Sequence, residues 1–245
     1  MQPANAMPDC DTAPIPVPAG GHIEGETALE CTGGGDCHLL VYQGARLYEL
    51  YQASITGGMA TGGTFTGMCL VVWDTTHDYW DPKVAAGPNY ARGDSCNGAD
   101  AGDFPMAPLI LTSEDIKSGA VKHALRFTIL NSKIRAGVYL HPDTHLGGPT
   151  GGYDTLPYGS RLRLKASFDD SQFSAPAKLV TAALKKYGMF LADGGNIFIS
   201  ATDDIASVLD PASLRSLQPM DFEMVDGGPR IGINQFNCMR TVISN

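Results

Sequence analysis

Basic residues are scarce in this chain: 17 Lys and Arg stand against 26 Asp and Glu, a formal charge of −9 over 245 residues. Binding to a phosphate backbone or an anionic membrane needs a concentrated basic face, so no nucleic acid is expected among its partners. Long apolar runs are lacking too, and none approaches the roughly 20 residues of a membrane-spanning helix. No Gly-x-Gly-x-x-Gly loop opens a helix, which removes the usual phosphate cradle of nucleotide enzymes. No Gly-x-Ser-x-Gly elbow is present either, and the serine hydrolases built on it are excluded. The six cysteines form no Cys-x-x-Cys pair, and no histidine cluster has zinc-ligand spacing. No unit repeats at a fixed period, so a solenoid or propeller is not expected.

What is present points to an exported β protein. Cys10, Cys31, Cys37, Cys69, Cys96 and Cys238 are an even set. They read as a disulfide framework made in an oxidising compartment, which places the protein as secreted or periplasmic. The short Cys31 to Cys37 loop is the one pairing that spacing suggests, and the others stay open. The opening stretch up to Gly21 has no apolar leader core, so the expectation is a start that follows a removed leader. With 29 Gly and 16 Pro spread along the chain, many strands joined by many turns are expected.

Residues 1–36, with PIPVPAGG, read as an irregular N-terminal arm, and residues 37–245 as a single β-rich domain, expected to be a monomer. HLLVYQ and RLYELYQASI flank Gly44-Ala45 as a hairpin, and CLVVW is an apolar strand. LTSEDIKSG is a capped helical turn; VKHALRFTIL, IRAGVYLH and RLRLKASF are further strands. The convincing helix is residues 176–187, where Leu179, Val180, Ala183, Leu184 and Tyr187 form an apolar stripe ended by Gly188. MFLA and NIFISA read as strands on either side of an Asp193-Gly194-Gly195 turn. The fold class is mainly β: a β-sandwich of jelly-roll type or a closed β-barrel with one amphipathic helix packed on it.

The most informative segment runs from Trp73 to Pro105. It holds both tryptophans, Tyr79, Tyr90 and the aspartates at 74, 78, 81, 94, 100 and 103, without a sustained helical or strand period. Long irregular segments in a compact domain are usually functional loops. Aromatic faces beside carboxylates suit a carbohydrate, whose C–H faces stack and whose hydroxyls hydrogen-bond. Trp73, Trp80 and Tyr90 are therefore candidate sugar platforms, with His145 and Tyr187 as further substrate contacts.

Glycosidic hydrolysis usually employs two carboxyl groups across the bond. Asp193, in Leu-Ala-Asp-Gly-Gly, and Asp100, in Gly-Ala-Asp-Ala-Gly, are the candidates, because small neighbours leave a carboxylate open. Elimination on a uronic-acid polymer would instead use His123 as base and Arg126 to neutralise the substrate carboxylate, with Tyr187 in support. Three-residue spacing puts His123 and Arg126 on opposite faces of one strand, which weakens that pair. His141 and His145 have the spacing of helical metal ligands, but Pro142 interrupts the helix. No cofactor is expected beyond a structural calcium, for which Asp94, Asn97, Asp100 and Asp103 supply oxygens without EF-hand spacing.

The blocks CLVVWD, GADAGDFPMAPLILTSEDI, KHALRFTI, PYGSRLRLKASF and LKKYGMFLADGG together resemble a family of secreted bacterial proteins with no established reaction, over roughly residues 36–228. That resemblance implies export and one compact domain. LPYGSRL and FLADGG are also similar to the double-psi β-barrels of lytic transglycosylases and expansins, where a Leu-Pro-x-Gly-x-x-Leu strand precedes a strand ending in an essential aspartate. That likeness implies that Asp193 is the acid. The expected function is a secreted polysaccharide-degrading enzyme, a glycoside hydrolase, with a lyase or a non-catalytic carbohydrate-binding protein as alternatives.

Overall fold

A computed structural model describes residues 3–5, 9–58, 63–77, 79 and 94–233. The protein is mainly β, and its backbone contacts divide it into a first unit, Met1–Ala107 with Ile233–Asn245, and a second, Pro108–Gly232. Among the described residues no helix is long and apolar enough to cross a membrane.

In the first unit, β2 (Leu39–Gln43) and β3 (Arg46–Tyr51) form the expected hairpin, with Gly44 in the left-handed region at the turn. β6 (Cys69–Asp74) pairs with the other edge of β3, giving the antiparallel order β2-β3-β6. A smaller sheet joins β1 (Ala4–Asn5), β5 (Thr64–Gly67) and β4 (Ser54–Thr56). Both edges of β3 are paired, and apolar clusters cover both its faces. Tyr48 and Leu50 share one side with Leu70 and Val72, and Leu47 shares the other with Val71 and Trp73.

Residues 9–36 carry almost no strand, yet they are fixed to this unit. Asp11 donates its N–H to Leu70 O (2.8 Å) and its carboxylate accepts from Val72 N (2.8 Å). Ala13, Ile15 and Ile23 enter the core. Disulfides join Cys10 to Cys69 and Cys31 to Cys37, the latter being the short loop expected, and Cys96 is disulfide-bonded as well.

The second unit holds a mixed sheet of order β12-β7-β11-β10-β13. Its strands are β7 (Leu125–Ile129), β10 (Arg161–Leu164), β11 (Met189–Gly194), β12 (Phe198–Ile199) and β13 (Phe222–Val225). β7 and β11 run parallel. A second sheet, β14-β8-β9, comprises β8 (Ile134–Tyr139), β9 (Leu156–Tyr158) and β14 (Ile231–Gly232), with β8 and β9 parallel. Helix α1 (Ser113–Lys117) starts at Thr112, whose hydroxyl accepts from Asp115 N while the Asp115 carboxylate accepts from Thr112 N, a reciprocal cap. The expected amphipathic helix is α2 (Ala175–Lys186), capped by Ser174 and ended by Gly188 at φ +75.

One expectation needs correction. The chain does reverse after Asp193-Gly194, but β11 and β12 do not pair as a hairpin: they lie on opposite edges of β7, one parallel and one antiparallel to it. Asp193 sits within β11, where the register shifts between Leu191 and Asp193. A bulge of this kind re-aims a side chain that strict alternation would point elsewhere.

The LPYGS segment positions β11. Gly159 N–H donates to Leu191 O (2.9 Å), and Leu191 N–H returns to Ser160 O (2.9 Å). Gly159 has φ +79, and a Cβ there would lie 1.8 Å from Leu140 O. Gly159→Ala is therefore expected to cost about 2 kcal/mol through backbone strain and displaced chain. Thermal unfolding followed by far-UV circular dichroism checks this, and an unchanged midpoint would contradict the close approach.

Candidate active site

The second unit brings together two residues that the sequence had assigned to different chemistries. Arg126, on β7, is buried, and its Nη2 lies 3.7 Å from Asp193 Oδ2, while its Nη1 donates to Ser200 Oγ (2.9 Å). The Asp193 side chain keeps 19% of its surface exposed against 6% for Arg126. A buried guanidinium requires a counter-charge and acceptors, and Asp193 and Ser200 supply them. The result is a carboxylate that reaches solvent on one side and is held from behind by a cation. Asp193 Oδ1 also accepts from Gly194 N–H (2.6 Å), which fixes the carboxyl orientation. Opposite it in register, Thr128 donates its hydroxyl to Asn196 O, tying down the chain just past the bulge. A positioned carboxylate of this sort can exchange a proton with a substrate oxygen or attack an electrophilic carbon.

His123 does not join this group. It precedes β7 and turns toward α1, with Nε2 3.3 Å from Asp115 Oδ2 and Nδ1 2.8 Å from Ala124 O. One ring nitrogen is engaged with the helix cap and the other with the backbone of Ala124, so the elimination reading loses its base. Thr112 and His123 also hold the Asp115 carboxyl below the usual carboxylate range, against the opposing effect of its partial burial.

Tyr187 ends α2, where its carbonyl accepts from Arg161 Nε (2.8 Å) and its ring lies under Lys186 Nζ at 4.8 Å. His141 and His145 lie in a loop, half-buried, and not along one helical face.

Asp100 belongs to the first unit and is only 6% exposed. Its small neighbours do not leave it open: the chain turns tightly there, with Asp103 N–H donating to Asp100 O (3.0 Å). A Cβ on Gly98 would fall 1.8 Å from Asp103 Oδ1, so that carboxyl is packed against the glycine backbone. Asn97 gives its backbone and amide N–H groups to the Asp9 carboxylate at 2.7 to 3.1 Å. Among the described residues the group with three convergent ligand-type atoms is Glu26, Cys31 and Cys37, and its two sulfurs are bonded to each other.

Trp73 is corrected from platform to core. It is buried against Leu47, Val71 and Met106, leaving no face for a sugar ring. Its indole Nε1 donates to Glu49 Oε2 at 2.9 Å. Trp80 and Tyr90 lie outside the described residues.

The chain matches no protein-family model, no curated protein and no solved structure.

The residue that sequence reasoning missed is Glu49. It points from the centre of β3 into the apolar face formed with Leu47, Val71 and Trp73, and is 1% exposed. Ala107 N–H donates to its Oε1 at 2.9 Å. Burial pushes its carboxyl up to about 7, against the pull of the Ala107, Trp73 and Met106 donors and the nearby His38. His38 is itself buried between Glu24 Oε2 (2.6 Å from Nδ1) and Ala99 O (2.8 Å from Nε2). The available signal was a single carboxylate inside the apolar run LYELY.

Proposed function

We propose that this protein is a secreted polysaccharide-degrading enzyme in which Asp193 is the catalytic carboxylate and Arg126 the group that positions it. The observation that carries the reading is the partly exposed Asp193 carboxylate on the β11 bulge, 3.7 Å from the buried Arg126 guanidinium. Support comes from the order of elements. The Leu-Pro-Tyr-Gly segment packs directly on Leu191, two residues before the aspartate, as the likeness to double-psi barrel glycan-cleaving proteins implies. On that likeness the second unit is a closed barrel, and cleavage rests on one aspartate rather than on an Asp193 and Asp100 pair. The disulfides agree with an exported protein. Trp80 and Tyr90 retain the platform role.

The test is release of reducing ends, with absorbance of unsaturated uronates in parallel, across plant, algal and bacterial polysaccharides. Asp193→Asn is expected to lower the rate by on the order of 100-fold, the usual worth of a positioned acid or base; it also removes the counter-charge of the buried Arg126 and lowers the thermal midpoint, so the rates are compared at a temperature where circular dichroism shows both proteins folded. Asp100→Asn is expected to leave the rate within a few-fold. Full activity in Asp193→Asn would overturn the assignment, and binding without release of any product would make the protein a carbohydrate-binding module.

A further inference from the structure

We propose that the second unit carries a binding subsite for acidic sugars, built on Tyr153, Arg135 and Arg230 beside a cleft of about 560 Å³. The inference rests on the carbohydrate reading above and names the substrate class. Tyr153 is 79% exposed, although it is a large ring with every reason to pack inward. Two guanidinium groups share that ring. Arg135 Cζ lies 4.2 Å from its centroid, and Arg230 Cζ lies 6.0 Å from it. Stacking on an aromatic face restrains a side chain that would otherwise sample many rotamers, so both cations are held in place before a ligand arrives.

Arg135 Nη1 donates to Tyr153 O at 3.4 Å, which leaves the rest of its guanidinium edge for a ligand. Among the described residues neither Arg135 nor Arg230 forms an ion pair with a carboxylate, whereas Arg126 and Arg163 do, with Asp193 and Glu223. In a chain with a formal charge of −9, two guanidiniums gathered on one exposed ring form a local positive patch that an anion can neutralise. The planar fork of arginine matches a carboxylate with two parallel N–H donors, which is the group a uronic acid presents.

The adjoining cleft suits the remainder of a sugar ring. Leu140 and Met224 give it an apolar wall, and Gly227 and Gly228 give it a stretch without side chains where a ring can approach the backbone closely. Asp226 also lines it, but its Oδ1 accepts from Gly228 N–H at 3.0 Å, so the carboxylate is engaged in the turn. The fold brings these parts together by pairing: β14 joins β8 through Ile231 and Tyr139, setting Arg230 next to that edge, and a bridge from Arg135 to Gly151 brings in the Tyr153 loop.

The experiment is calorimetric titration of the full chain at pH 7 and low salt with three probes: a galacturonate tetramer, cellotetraose and inorganic sulfate. The galacturonate tetramer is expected to bind at least about tenfold more tightly than either of the others, and to weaken as salt is added. Arg135→Met with Arg230→Met, and separately Tyr153→Ala, are expected to lower that affinity about tenfold or more; Tyr153 and Arg230 are exposed and Arg135 half-buried, and the thermal midpoint of each variant checks that the fold persists. Equal affinity for cellotetraose, equal affinity for sulfate, wild-type affinity in both variants, or no binding of the tetramer would each overturn the proposal. Asp193→Asn separates it from the catalytic assignment, since that variant is expected to bind the tetramer as wild type does. Loss of acidic-sugar binding in the arginine variant with full cleavage by Asp193→Asn would remove the catalytic reading and leave the subsite standing.

Discussion

Replacing Cys10 and Cys69 together by serine is expected to lower the stability of the first unit by about 4 kcal/mol, because the bridge closes a loop with a sequence separation of 59. Such a crosslink acts mainly by restricting the unfolded chain, and the restriction grows slowly with the length of the closed loop. The Cys31 to Cys37 bridge spans only 6 positions, so its removal is expected to cost about 2 kcal/mol on the same account. Loss of the longer bridge has a second consequence. Residues 9–36 carry almost no strand, and Cys10 adjoins Asp11, whose backbone and carboxylate hold Leu70 and Val72 of β6. Without the crosslink that end of the arm would depend on non-covalent contacts, these two among them. Urea unfolding followed by tryptophan fluorescence is the measurement, since Trp73 is buried in the core of the first unit. Equal shifts for the two disulfide variants would show that loop length does not set the effect. No shift for the longer one would mean that the arm is held without it.

The sequence disclosed those parts of the fold whose pattern is local. α2 was legible because an apolar stripe, a serine cap and a terminal glycine all agree on its position. The β2 and β3 hairpin was legible because Gly44 lies between two half-buried runs. Long-range pairing was not. Nothing in MFLADGG states that β11 runs parallel to β7, and a glycine pair after an aspartate signals a reversal without saying whether the two strands then pair with each other or flank a third. The candidate site shows the same division. Asp193 and Arg126 were each identifiable from their neighbours, but Arg126 was matched with His123, three positions away. The pairing found joins residues 67 positions apart, through a bulge no local pattern encodes. Trp73 was misread for a related reason: a tryptophan at the end of a strand has the same sequence whether the next layer is solvent or, as here, Met106 and Ala99.

Glu49 is where physical chemistry makes the sharpest claim. Its carboxyl is buried, and desolvation pushes it up to about 7 from an ordinary value of 4.5. A group whose folded value lies above its unfolded value favours folding fully below the unfolded one, and that contribution is lost as pH rises through the folded one. The first unit is therefore expected to lose about 3 kcal/mol of stability between roughly pH 4.5 and pH 7, and to change little from this source above that range. The opposite sign holds for Asp74, whose carboxyl is kept below its ordinary value by Thr76. Its contribution is present above the ordinary carboxylate range and is lost as pH falls below it, so the two effects occupy separate windows. Glu49→Gln isolates the first. The amide cannot ionise, so its stability curve is expected to be flat where the wild type slopes. It also presents an NH₂ to one of the two N–H donors, Trp73 or Ala107, that now meet a carboxylate oxygen, at a cost of about 1 to 3 kcal/mol. The variant is thus expected to be the less stable protein at pH 5, and the gap is expected to close or reverse by pH 8. Because Trp73 donates directly to the titrating group, native-state fluorescence should follow the same transition with a midpoint near 7. Parallel stability curves for wild type and Glu49→Gln from pH 4.5 to 8 would show that Glu49 is ionised throughout, and that its two N–H donors outweigh the desolvation of a fully buried charge.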